Sequence, residues 1–237
     1  MRVGIIQSAY LPWRGYFDFI DDVDLFLLFD DVQYVKRSWR TRNKVKARSG
    51  TQWISVPVKK MPRGTLICEM QIDNDEHWAE HHLNQIRDAY RNAPYFETYY
   101  EDLQSQLSRD WTYLSELNEG LIRWLMGHLG ITTEVRSTVG LGATGRKGER
   151  LLSVLEKVGG TTYLSGPAAQ SYIDEKRFDE CGVNLEYKSY DYREYPQMWQ
   201  GFSGDVTVLD LLFNTGPDAL FYLKSATKNI VPRGLRN

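Results

Sequence analysis

Leu25-Phe26-Leu27-Leu28-Phe29 is an unbroken apolar run closed by Asp30-Asp31. Side chains of a strand alternate between two faces, so such a run needs cover on both sides. Parallel sheets packed between helices provide that cover, whereas a half-solvated antiparallel strand alternates apolar with polar residues. The preceding residues agree with a parallel arrangement. Residues 3–6 (Val-Gly-Ile-Ile) are a short β-prone run that ends at the Leu11-Pro12-Trp13 corner. Trp13, Tyr16, Phe17 and Ile20 then recur at helical spacing. Strand, sharp turn, helix and doubly buried strand make a βαβ unit of about 30 residues.

Further along, residues 40–48 and 52–58 flank Ser49-Gly50, which predicts a hairpin. Residues 66–72 read as a third strand beside it. Trp78, His82, Ile86 and Tyr90 predict one helix, residues 95–107 a second, and the Trp111, Leu114, Leu117, Leu121 and Leu125 stripe a third that runs towards Gly130. The α/β alternation then resumes. Residues 133–139, 161–165 and 183–187 read as strands, and 145–158, 206–214 and 217–226 as helices. The expected fold is a single α/β domain over residues 1–237. Its mostly parallel sheet opens with the βαβ unit, and it carries a basic β-hairpin and a helical insertion at about 74–130.

Charge is distributed unevenly. Ten of the 29 Lys and Arg lie between Val32 and Cys68, where there is no Asp or Glu; the other 19 face 31 acidic residues. A local cationic field inside a net-acidic chain suits a small anionic ligand better than long nucleic acid. Two well-separated cysteines, Cys68 and Cys181, argue against a disulfide scaffold. No apolar stretch reaches the ~18 residues of a membrane span, and no signal-peptide pattern opens the chain. A cytoplasmic protein is therefore expected.

Several groups of residues can carry chemistry. Gln7 and Tyr10 follow the first strand, where open parallel sheets bind ligands, and Gly15 lacks a Cβ where something approaches closely. Asp30 and Asp31 end the second strand and can take a proton or hold Mg²⁺. Arg40, Arg42, Lys44, Lys46 and Arg48 alternate with uncharged residues, so a regular strand would put all five on one face. That face, with Lys36 just upstream and Tyr34 and Asn43 among its neighbours, is a candidate phosphate site; Arg can fork two phosphate oxygens. Lys147 and Arg150 share a helical face beside Ser165-Gly166, and Tyr187, Tyr190, Tyr192 and Tyr195 precede Gln197 as a polar aromatic wall. Ser165 lacks the Gly-x-Ser-x-Gly elbow of an acylating nucleophile. His77-Trp78-Ala79-Glu80-His81 matches a short zinc-peptidase string, but the preceding helix-capping residues favour an ordinary surface helix, and no metal site is expected.

Together, Ile6-Gln7-Ser8-Ala9-Tyr10-Leu11-Pro12-Trp13-x-Gly15-Tyr16-Phe17, Asp30-Asp31-Val32-Gln33-Tyr34 and Trp39-Arg40-x-Arg42-Asn43-x-Val45-Lys46 resemble the WbqC-like protein family. The later Tyr163-Leu164-Ser165-Gly166, Tyr172, Tyr195, Gln197 and 209–214 segments agree with it. Some members carry His-Gln-Pro where this chain has Ile6-Gln7-Ser8. The resemblance implies a protein of bacterial surface-polysaccharide (O-antigen) precursor biosynthesis. It implies a transferase that moves an acyl or aminoacyl group, such as glycyl, onto a nucleotide-linked amino sugar, with use of ATP and Mg²⁺ left open. The alternative is a non-catalytic sugar-nucleotide-binding or assembly protein of the same pathway. The expected partner is a sugar nucleotide or nucleotide, with a homodimer as a candidate assembly. The opening is also similar to that of nucleotidyltransferases such as pantetheine-phosphate adenylyltransferase, with Tyr16 where that family's second histidine would stand.

Overall fold

The structure is a computed structural model, and it describes residues 1–232. Five parallel strands form one sheet. They are β1 (Arg2–Ile6), β2 (Leu25–Leu28), β5 (Glu134–Ser137), β6 (Thr162–Ser165) and β7 (Asn184–Tyr187), in the order β5-β2-β1-β6-β7. Helix α1 (Arg14–Asp21) connects β1 to β2, which completes the βαβ unit. Both faces of β2 are covered, as the apolar run requires. Leu25 and Leu27 pack with Leu151, Leu155 and Tyr163 on one side. Phe26 and Leu28 pack with Phe17, Phe19 and Ile20 on the other. Gly4 in β1 lets α1 sit close, since a Cβ there would stand 2.4 Å from the Phe19 ring.

Between β2 and β5 the chain makes the antiparallel hairpin β3 (Arg42–Ala47) and β4 (Gly50–Ser55). The helices α2 (Trp78–Tyr90), α3 (Phe96–Leu107) and α4 (Leu114–His128) follow. The second half adds α5 (Gly148–Val158), α6 (Glu175–Glu180), α7 (Val208–Thr215) and α8 (Ala219–Leu223). The strand expected at 66–72 is not one. Ile67–Glu69 is a 3-10 turn, and only single bridges among the described residues, Gln33 to Leu66, Val58 to Ile72 and Gln71 to Tyr113, flank it. Ile67 N–H instead donates to the Val32 carbonyl and Cys68 N–H to that of Asp30, so the segment ties down the end of β2. No helix among the described residues is long and apolar enough to cross a membrane.

His82 links the hairpin to the helical layer. Its Nε2 accepts the Ser55 N–H at 3.1 Å, so the ring proton sits on Nδ1, 2.8 Å from the Tyr10 hydroxyl. Burial, with nearby His81 acting in the same direction and the Ser55 bond opposing, pushes the imidazole pKa down to about 4. In an unfolded chain the value is ~6.5, so the unfolded state binds more protons between these limits. The stability His82 supports is full above pH ~6.5 and is lost as pH falls towards 4, by about 3 kcal/mol. Asp30 and Asp210, whose carboxyls burial pushes up, contribute in the opposite direction on acidification. Denaturant titrations at several pH values should show the His82→Gln variant losing distinctly less stability than wild type between pH 6.5 and 4. Parallel curves would remove His82 as the cause.

Candidate functional site

The direction of strand succession reverses between β1 and β6, because β2 and β5 lie on one side of β1 and β6 and β7 on the other. Ligands of open parallel sheets bind beyond the carboxyl ends at such a point. Two adjoining hollows open there. One, of about 550 Å³, lies between the proline corner, Arg40 and Gly166. The other, of about 410 Å³, is lined by Gln7, Lys147, Arg150, Tyr163 and Ser165. Both include Ile6, Gly166 and Ala168, so they form one cleft across the ends of β1 and β6.

The corner at its centre is held by side chains far away in sequence. Leu11 adopts a left-handed backbone with φ 42°. The Asn43 amide donates to the carbonyls of Tyr10 (3.2 Å) and Leu11 (2.6 Å), and Val208 N–H donates to that of Pro12. Tyr10 is in the core, fully buried against His82 and Trp78, rather than on the cleft wall. Gly15 is required by Trp13, whose indole would lie 2.3 Å from a Cβ there. Trp13 in turn packs edge-on against Tyr190 and Tyr192, and Trp13 and Tyr190 line the cleft.

Arg40 gives the cleft its charge. Its guanidinium bonds the Gln7 side-chain oxygen; among the described residues its Nε has no partner and no carboxylate lies within ion-pair distance. Burial pulls its pKa down, with Tyr16 and Asp30 opposing. A desolvated cation without a paired anion is costly, so the position favours an incoming anion. The Tyr16 hydroxyl donates to the Gln7 carbonyl at 3.1 Å and fixes the loop after β1.

The two carboxylates lie behind the cleft rather than on its wall. Asp30 is 2% exposed and accepts the Ser8 N–H at 2.9 Å; burial pushes its carboxyl up, with Ser8 and Arg40 opposing. Asp31 accepts from Thr138 Oγ1 and pairs with Arg150 at 2.6 Å, which orients that guanidinium at the cleft. Ser165 is buried at the end of β6, and Lys147 is exposed at the start of α5. Two contributors escaped the sequence reading. Asn118 bridges Ser8 Oγ and the Arg40 carbonyl, and its position inside the apolar stripe of α4 was the available signal. Asp205, 2.5 Å from Lys44, is the carboxylate among the described cleft residues; nothing local in sequence marks it.

Of the five alternating cations only Arg42, Lys44 and Lys46 lie on β3 and share a face, and each meets a different environment there. Arg40 precedes the strand, Lys44 turns to Asp205, and Arg48 is exposed at the hairpin tip. Lys46 is 3% exposed and donates to Gln197 Oε1 (2.7 Å), the Trp199 carbonyl (2.8 Å) and the Gly201 carbonyl. Gln197 and the Tyr195 hydroxyl both donate to buried Asp210, so this pair belongs to the Lys46 network. Arg42 lies 4.2 Å above the Trp53 ring. Arg42, Tyr34 and Lys36 line a separate basic groove of about 920 Å³. At the zinc-peptidase string, His77 and His81 are exposed while His82 is buried. No group of three or more His, Cys, Asp or Glu among the described residues is placed to hold a metal ion.

The model of the WbqC-like protein family matches residues 7–222. A Mycobacterium tuberculosis protein titled "Uncharacterized protein Rv1507c" is 42% identical over 226 residues, covering 94% of this chain and 97% of its own length. No solved structure matches the chain.

Proposed function

Because the chain belongs to the WbqC-like protein family, we propose that the cleft between β1 and β6 binds a nucleotide-linked amino sugar and that the protein acylates it. The pathway is bacterial surface-polysaccharide precursor biosynthesis, and the transferred group is an acyl or aminoacyl unit such as glycyl. The observation that carries the reading is Arg40, a largely buried guanidinium at the sheet's switch point without a carboxylate partner among the described residues. It meets the diphosphate, with Arg150 and Lys147 along the same edge. Gln7, Ser165 and the Gly166 backbone offer hydrogen bonds to sugar hydroxyls.

In the transfer step the sugar amine forms a bond to the acyl carbonyl carbon. The bond to an activated leaving group breaks, and the amine proton passes to Asp205 and then to water. ATP with Mg²⁺ is the candidate source of that activation. Asp30 and Asp31 act as positioning residues, through Ser8 and Arg150 respectively. Their place behind the wall is also what favours the second reading, a non-catalytic sugar-nucleotide carrier.

Calorimetric titration with uridine diphosphate tests the site. Arg40→Met should weaken binding by about 10- to 100-fold, the value of one or two charge-assisted bonds. Its melting temperature should hold, because the lost side chain carries no ion pair. Equal affinity in that variant would remove the anion site. Asp205→Asn separates the two readings: a transferase loses turnover with binding retained, whereas a carrier has no turnover to lose.

A further inference from the structure

Six of the ten cations between Val32 and Cys68 surround the separate basic groove: Lys36, Arg37, Arg42, Lys59, Lys60 and Arg63. None has an ion-pair partner among the described residues. No Asp or Glu among the described residues lines the groove. Its floor is apolar, with Val56, Val58 and Met70.

Exposed apolar side chains are interleaved with these cations. Val35 is 62% exposed, Trp39 45%, Trp53 43% and Met61 37%. Trp53 and Met61 line the groove, the Trp39 and Trp53 rings lie 5.4 Å apart, and Val35 precedes Lys36. Monomeric surfaces seldom gather such side chains without a partner. Indoles beside Lys and Arg are the side chains that settle at a lipid–water boundary.

The cleft and the groove differ in how their charge is held. Arg40 in the cleft is desolvated and fixed, which suits one discrete anion. Lys36, Arg37, Lys59, Lys60 and Arg63 are all exposed on flexible stems. Flexible cations around apolar residues match a delocalised negative surface better than a single phosphate. The charge asymmetry points the same way, because the acidic remainder of the chain is repelled where this face is attracted.

We propose that this groove and its rim dock the protein on an anionic phospholipid membrane, with Trp39, Trp53 and Met61 entering the headgroup boundary. Docking would be peripheral. Trp39 also lines the cleft, so the mouth of the proposed sugar-nucleotide site would stand beside the lipid surface.

The test uses the full chain and vesicles of phosphatidylglycerol mixed with phosphatidylcholine, against pure phosphatidylcholine. Co-sedimentation with the mixed vesicles alone, lost at high salt, is expected. Tryptophan emission should shift to the blue on binding, and Trp53→Ala should diminish that shift. Replacing Lys59, Lys60 and Arg63 together by Gln should lower partitioning about 100-fold. All three are exposed, so the melting temperature should hold. Failure to bind, equal binding to both vesicle types, or full binding by the triple variant would overturn the proposal. So would tighter binding to a single-stranded oligonucleotide, which would assign the face to nucleic acid. Uridine diphosphate affinity should be unchanged in the triple variant; an unsubstituted chain that binds uridine diphosphate but not the mixed vesicles would strike this proposal and leave the cleft standing.

Discussion

Lys46→Met should lower the stability of the protein by about 4 kcal/mol, the loss of several hydrogen bonds to one buried charge. Three acceptors would lose their donor together: Gln197 Oε1 and the carbonyls of Trp199 and Gly201. Gln197 is also a ligand of buried Asp210, which accepts the Tyr195 hydroxyl at 2.8 Å. The carboxylate would then keep its burial while losing a nearby cation. Methionine nearly matches the lysine stem in volume, so the deficit is polar rather than a cavity. At this chain length the drop corresponds to roughly 8–16 °C in melting temperature. Arg48→Met, at the exposed hairpin tip, should stay within about 0.5 kcal/mol of wild type. Urea unfolding of both variants decides the matter. A Lys46→Met loss under 1 kcal/mol would mean that water replaces the ammonium and that the network is not structural.

Lys46 also shows where local sequence stopped being informative. Period-two alternation describes β3, Arg42–Ala47, but neither Arg40 before it nor Arg48 after it, and one face of a strand need not meet one environment. In the structure one face of β3 runs from the Trp53 ring at Arg42, past Asp205 at Lys44, into a closed carbonyl cage at Lys46. The cage is built by residues 197–201, some 150 positions later, and no local pattern encodes that meeting. The same holds for Asp205 and Asn118, whose roles depend on pairings across the fold.

What periodicity and burial alone decide was legible. Leu25–Leu28 must be covered on both faces, and it is, by α1 on one side and α5 on the other. The sequence puts a proline corner after β1 at the carboxyl edge of a parallel sheet, and a cleft opens beside that corner. Residues 66–72 failed because the backbone of a 3-10 turn can satisfy itself through the carbonyls of Asp30 and Val32 while its side chains still read as a strand.

Gly15→Ala should damage both stability and the cleft, although alanine is the better helix former. The substitution gains up to about 1 kcal/mol of intrinsic helix preference at the start of α1. Against this, the new Cβ would stand 2.3 Å from Trp13 Cζ2 and 2.6 Å from Cη2, well inside any contact a carbon pair tolerates. Trp13 cannot yield cheaply, because its ring is wedged against Tyr190 and Tyr192 and its backbone bridges to Thr207. Overpacking costs about 1–3 kcal/mol, so the clash wins and the net loss is about 1–2 kcal/mol. The indole is a wall of the cleft, so its displacement should also weaken uridine diphosphate binding by about tenfold. The cycle with Trp13→Ala isolates the cause. In a Trp13→Ala background the clash is absent, so adding Gly15→Ala should be neutral or stabilising, and the two changes should be strongly non-additive in melting temperature. If Gly15→Ala costs the same in both backgrounds, the glycine serves the backbone of the corner rather than the ring that covers it.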